Sequence, residues 1–144
     1  MSEDMNDIWH VSSKDASQLN LWKSQPGHFR IIQFGLFVPL LTGSDYTLAH
    51  QSLIPAFDCL LRDQLEIKPA NILRASTGDQ WVDYQELVIK EHINPEKIKT
   101  TECFGDQIWQ FRHLLFVSAD LKQRLESMFP EQLRFSLGFS WFAG

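Results

Sequence analysis

The chain has 144 residues and a formal charge of -5, with 44% hydrophobic and 22% charged residues, proportions of a folded globular protein that argue against disorder. At this length one core is expected, burying about 70% of the surface that the unfolded chain exposes. The thirteen basic residues are scattered, which excludes a general nucleic-acid binder, because neutralising phosphates requires grouped Lys and Arg.

From the start, Met1 to Asp7 is acidic and lacks the apolar stretch of a secretory signal, so residues 1–7 read as a solvated tail and 8–144 as a single domain. Ile8 to Val11 predicts a short strand. A Ser/Asp/Asn-rich stretch then runs to Trp22 and the Gln25-Pro26-Gly27 turn signal. His28 to Phe34 is β-branched and aromatic, and Leu36 to Leu41 continues that character, so one or two strands bending at Gly35 are expected. The run from Gly35 to Leu41 is the longest apolar one. It is broken by Pro39 and falls far short of the roughly 20 residues of a membrane-spanning helix, so a soluble, cytoplasmic protein is expected.

Gly43-Ser44-Asp45 predicts a helix start, a Ser or Asp side chain accepting a first-turn N–H. Pro55 should break or restart that helix. Beyond it Phe57, Leu60, Leu61 and Leu65 recur at helical spacing, leaving Asp58, Arg62, Asp63 and Glu66 for water. Asn71 to Ala75, a Thr77-Gly78-Asp79 turn, and Gln80 to Ile89 predict a β-hairpin. Asn94-Pro95 ends it, and Ile98 to Phe104 is a further candidate strand.

The densest patterning comes last. Trp109 and Phe111 alternate with Ile108, Gln110 and Arg112, and Ser118 stands where a helix cap is needed. Leu121 and Leu125 lie four apart on one helix face. After Pro130, the residues Leu133, Phe135, Leu137, Phe139 and Trp141 alternate with Arg134, Ser136, Gly138 and Ser140, which predicts a strand with one apolar face. The fold class expected is α+β, a mostly antiparallel sheet with two to three helices.

Chemistry-bearing motifs are sparse. The histidines at 10, 28, 50, 92 and 113 have no metal-ligand spacing with one another or with a cysteine. Cys59 and Cys103 read as a reduced pair. Cys103 and His113 could face each other across adjacent strands, but no third group orients them. Asp83, Glu86 and Lys90 approach a Mg-dependent nuclease pattern, yet three residues separate Glu86 from Lys90, too many for it. There is no phosphate loop, nucleophile elbow or zinc-protease motif, so neither catalytic residues nor a cofactor is expected. The carboxylates Asp79, Asp83, Glu86 and Glu91 on the central hairpin are instead candidates for contact with a basic protein partner. The alternative is a charged strand edge that discourages aggregation. Five Trp and eleven Phe are expected mainly in the core, the remainder favouring an aromatic interface.

Ile108-Trp-Gln-Phe-Arg112, His113-Leu-Leu-Phe-Val-Ser118 with its preceding strand, Asp120-Leu-Lys-Gln-Arg-Leu125 and Leu133-Arg-Phe135 resemble the closing segment of the Imm11-like immunity proteins of bacterial polymorphic-toxin systems. Trp81 to Ile93 is more loosely similar. The resemblance implies a protein that neutralises a cognate toxin by stoichiometric contact in the producer's cytoplasm, without catalysis, membrane or nucleic acid. Two other readings stand beside it: an effector-binding adaptor or chaperone of a secretion system, and a small metal-dependent enzyme with dispersed residues. Arg112 and Ser118 fall inside the resembling pattern, and both read as structural, as a strand charge and a helix cap.

Overall fold

A computed structural model describes residues 7–43, 45–58, 60, 64–94 and 105–137. Of these, 52% are in strands and 15% in two short helices, so the architecture is predominantly β, with three four-stranded sheets. This corrects the expected α+β class. The error lies in the stretch after Gly43, where the expected helix is replaced by β5 (Tyr46–His50), which forms an antiparallel hairpin with β4 (Leu40–Gly43). Tyr46 to Ala49 are all buried, and a strand covered on both faces loses the alternation by which strands are recognised. A seven-residue 3-10 helix, Gln51–Phe57, follows and contains Pro55. Leu65, expected on a helix face, instead opens β6 (Leu65–Pro69).

The first sheet has the order β10 (Ile108–Phe111), β11 (Leu114–Ser118), β1 (Ile8–Ser13), β12 (Leu133–Leu137), antiparallel throughout. The β1 strand thus lies between β11 and β12, with Trp9 opposite both Val117 and Leu137. The expected strand, capped helix and strand are present. Helix α1 (Ala119–Met128) joins β11 to β12, and the Ser118 side chain accepts the N–H of Leu121. Arg112 departs from expectation, because it sits in the β10–β11 turn at φ 55 rather than in a strand. The expected strand at Ile98 to Phe104, the continuation to Trp141 and both cysteines lie outside the described residues.

The second sheet runs β2 (Asn20–Gln25), β3 (His28–Gln33), β7 (Asn71–Arg74), β8 (Asp79–Trp81). Pro26-Gly27 joins its first pair, with Gly27 at φ +80, a proline then glycine order suited to a turn that needs a left-handed second residue. The third sheet is β4, β5, β9 (Tyr84–Ile89), β6. The expected central hairpin therefore divides. β7 and β8 pair as foreseen, but after Val82-Asp83 the chain crosses to the third sheet as β9.

The third sheet is the middle layer, and alternate residues along its strands serve different cores. Leu40, Ala49, Leu65, Leu87 and Ile89 pack with Val11, Leu115, Val117, Leu121 and Leu125 of the first sheet and α1. Leu41, Tyr46, Leu48 and Tyr84 pack with Leu21, Phe29 and Ile72 of the second sheet. On the far face of the first sheet, Ile8, Trp109, Leu114 and Phe116 form a smaller cluster with Ile93. Among the described residues no helix is long and apolar enough to cross a membrane.

Candidate functional site

The four carboxylates singled out in the sequence do not form one surface. Asp79 opens β8 in the second sheet, where its Oδ2 accepts from Thr77 Oγ1 at 2.9 Å. Glu86, in β9 of the third sheet, is only 5% exposed, and its Oε2 accepts from Lys23 Nζ at 2.8 Å. It bridges the second and third sheets and is unavailable to a partner. Glu91 is exposed beyond β9, and its backbone carbonyl accepts the N–H of Gln110 at 2.9 Å. Among the described residues no three His, Cys, Asp or Glu converge as a metal cage.

Asp83 belongs to a grouping that sequence spacing could not reveal. Its Oδ2 lies 3.1 Å from His50 Nε2, while His50 Nδ1 lies 2.9 Å from Ser52 Oγ and accepts the Ser52 N–H at 3.2 Å. Since Nδ1 is the acceptor of a backbone N–H, the neutral ring carries its proton on Nε2 and donates it to Asp83. Hydroxyl, imidazole and carboxylate are thus connected in the order of a hydrolase relay, and Ser52 also borders a recess of about 460 Å³ with Met128 to Gln132. Two features set it apart from a relay. The imidazole nitrogen that would serve as base is shared with a backbone amide, and the Ser52 N–H, the donor nearest any oxyanion at Oγ, is already given to His50.

The same bonds have a complete structural account. His50 caps the 3-10 helix, Asp83 O accepts from Gln51 N at 2.8 Å, and the His50 ring meets Tyr84 edge-on at 5.3 Å. The trio therefore clasps the β5 end to the β8–β9 crossing. Tyr84 is the interior end of this clasp. Its hydroxyl donates to Val38 O at 2.7 Å, and burial, aided by the charge of Asp83, pushes its pKa up to about 12.

A third arrangement lies on the outer face of the second sheet. Register places Trp22 opposite Arg30, Arg30 beside Leu73, and Leu73 opposite Gln80, so these four side chains make one row across the sheet. A recess of about 320 Å³ opens there, lined by Ser24, Gln25, His28, Arg30, Asn71 and Gln80 over Phe29 and Leu73. None of its lining residues is acidic, although the chain carries 18 carboxylate side chains. Asn71 Nδ2 donates to Gln80 Oε1 at 3.1 Å, whereas Asn71 Oδ1 is buried and has no hydrogen-bond partner.

Apolar surface adjoins this face. Trp22 is 54% exposed and Ile32 62% exposed; beyond the end of β3, Phe34 and Leu36 are also exposed, and Val82 follows β8 at 71%. Phe34 packs edge-on to Phe37 at 6.1 Å, Phe37 stacks on Trp81 at 4.6 Å, and the Arg74 guanidinium lies 4.0 Å from the Phe34 ring centre. The loop that carries Phe34 and Leu36 is held in place by its aromatic neighbours while its outer faces stay open to water. The sequence offered a surplus of aromatics as the signal for such a surface, but not its location, which depends on the pairing of β3 with β7.

Compared with known protein families, curated proteins and solved structures, the chain matches none.

Proposed function

We propose that this chain is a stoichiometric protein inhibitor of the bacterial immunity type, which neutralises a toxin by covering it. One observation carries the reading: the open apolar and aromatic surface of Trp22, Ile32, Phe34, Leu36 and Val82 on and beside the second sheet. Large apolar side chains left in water cost solubility, and aromatic groups beside an Arg supply the well-packed anchors of protein interfaces. The resemblance of Ile108 to Phe135 to immunity proteins supports the same reading. The binding role is given to the second sheet; of the four carboxylates, Glu86 is engaged internally and Asp83 with His50, while Asp79, at the start of β8, and Glu91 stay exposed. The net charge of -5 would raise the encounter rate with a basic toxin in the cytoplasm.

Co-expression with the product of the neighbouring open reading frame tests this. A one-to-one complex on size exclusion and restored growth of cells making that product are expected, and Trp22→Ala with Phe34→Ala should weaken both. Absence of a complex together with absence of rescue would sink the proposal.

A further inference from the structure

We infer that His50 is a proton-operated helix cap: uptake of one proton releases the first turn of the 3-10 helix Gln51–Phe57 and at the same time binds the β5 end more firmly to the β8–β9 crossing. The device does not depend on the inhibitor reading. It follows from the bonds of a single ring.

The residue that caps this helix with its side chain is a histidine, where the oxygen of a hydroxyl, amide or carboxylate is the usual acceptor. Such an oxygen keeps a lone pair in every charge state, but a neutral imidazole has one acceptor nitrogen and loses it on protonation. In His50 that nitrogen is Nδ1, which accepts the Ser52 N–H at 3.2 Å and lies 2.9 Å from the Ser52 hydroxyl. Nε2 carries the other proton and directs it at Asp83 Oδ2, 3.1 Å away. A proton arriving from water therefore binds at Nδ1. The His50 side chain is 32% exposed, which admits it.

Three bonds then change together. The Ser52 N–H now faces a donor and loses its acceptor; Ser52 is exposed, so the amide turns to water. The Ser52 hydroxyl takes the acceptor role toward the new Nδ1–H. The Nε2–H bond to Asp83 becomes one between a cation and a carboxylate, which is shorter and stronger than its neutral counterpart. The helix start loses a bond, and the crossing that carries Val82 and Asp83 is held more tightly.

The groups around the ring leave Asp83 as the carboxylate that responds. From β9, Tyr84 meets the ring edge-on at 5.3 Å with its hydroxyl given to Val38 O, and Glu86, two residues further along, is neutralised by Lys23. The stretch from Phe34 to Gly43 and the helix Gln51–Phe57 bring no charged residue. Glu131 stands with Ser52 at the rim of the recess beyond the helix.

The test is NMR of the ¹⁵N-labelled full chain between about pH 8 and 5, the range in which imidazoles change charge, following the ring nitrogens of His50 and the amides of Ser52 and Gln51. The Nε2–H tautomer is expected at the upper end. As the ring takes up its second proton, the exchange protection of the Ser52 amide, corrected for the intrinsic rate, should fall about fivefold, the range of a lost cap. Protection of Gln51, whose N–H goes to Asp83 O, should not fall. The amide of Leu87 in β9, fully covered, reports changes in global stability, which are subtracted. His50→Asn supplies an oxygen cap and should leave Ser52 equally protected at both ends of the range, and Asp83→Asn should move the change to lower pH.

An Nδ1–H tautomer in the neutral ring would overturn the proposal, as would Ser52 protection that merely follows Leu87. Both readouts need only the natural chain. A pH dependence at Ser52 that survives in His50→Asn would assign it to another group, and an unmoved midpoint in Asp83→Asn would overturn the link to the crossing.

Discussion

His10 lies in β1 with its ring 5.6 Å from that of Phe116, on the face of the first sheet away from α1. Burial, and secondarily the nearby His113, lower its pKa from 6.5 to about 4. At neutral pH the ring is uncharged in both folded and unfolded chains and adds no pH dependence. As pH falls below 6.5 the unfolded chain takes up the proton first, so stability declines until about pH 4, where the folded chain takes it up as well. Urea midpoints between pH 7 and 4.5 should fall less steeply for His10→Gln than for the natural chain, and parallel slopes would contradict the assignment. Ser118 is a second decisive single residue. Fully buried, its hydroxyl donates to Gly105 O at 2.8 Å and accepts the N–H groups of Gln107 at 2.9 Å and Leu121 at 3.4 Å. A solvent-facing cap contributes typically about 1 kcal/mol, but Ser118→Ala also removes two further part-buried hydrogen bonds, to Gly105 O and from Gln107 N, each worth about 1 kcal/mol. A loss of about 2–4 kcal/mol in chemical denaturation is expected, and a loss below 1 kcal/mol would reduce Ser118 to an ordinary cap.

Elements whose signals are local were legible in the sequence. The β11–α1–β12 unit was readable because Ser118, Leu121, Leu125 and Pro130 define a helix within a dozen residues, and the Thr77-Gly78-Asp79 turn announced its hairpin; Gln25-Pro26-Gly27 announced a turn, but the strand Asn20–Gln25 before it went unread. Elements set by distant partners were not. β5 is a strand because β4 and β9 flank it, and nothing between Gly43 and His50 distinguishes a strand buried on both faces from a short helix. The recess was hidden for the same reason, since Trp22, Arg30, Leu73 and Gln80 meet only through a parallel pairing across more than forty positions of sequence. Gly35 shows a local signal with a non-local cause. The bend foreseen there exists, but the chain leaves the second sheet for the third, and a Cβ at Gly35 would run into the backbone of Gln18 and Leu19. Since that obstacle is main chain and not a flexible side-chain end, Gly35→Ala should cost about 1–3 kcal/mol, as overpacking does. Gly78, whose Cβ position is open but whose φ is +78, should lose about 1–2 kcal/mol with Ala, through backbone strain alone. Equal thermal stability of Gly35→Ala and the natural chain would show that the 16–19 segment moves aside freely.

At the scale of the whole molecule, the third sheet couples everything described. Its residues feed two large apolar clusters in alternation, so neither cluster can disperse without freeing one face of β5 and β9. The Lys23–Glu86 ion pair adds a cross-link between the second and third sheets at 2.8 Å, and removing only Lys23 would leave Glu86 buried and unpaired. β1 ties the chain's early residues between β11 and β12, so the first sheet cannot form from a contiguous stretch. A layered protein with two independent cores would unfold in two steps; one with a shared middle layer should unfold in one. Leu48 and Leu115 test the difference, being fully buried on the second-sheet side and the first-sheet side respectively. Leu48→Ala and Leu115→Ala should each destabilise by about 2–5 kcal/mol. In both variants, fluorescence dominated by Trp81 of the second sheet and by Trp109 of the first, isolated by Phe at the other tryptophans, should report coincident urea transitions. If Leu48→Ala moved the Trp81 transition and left that of Trp109 in place, the middle sheet would belong to one core only, and the two halves would be separable folding units.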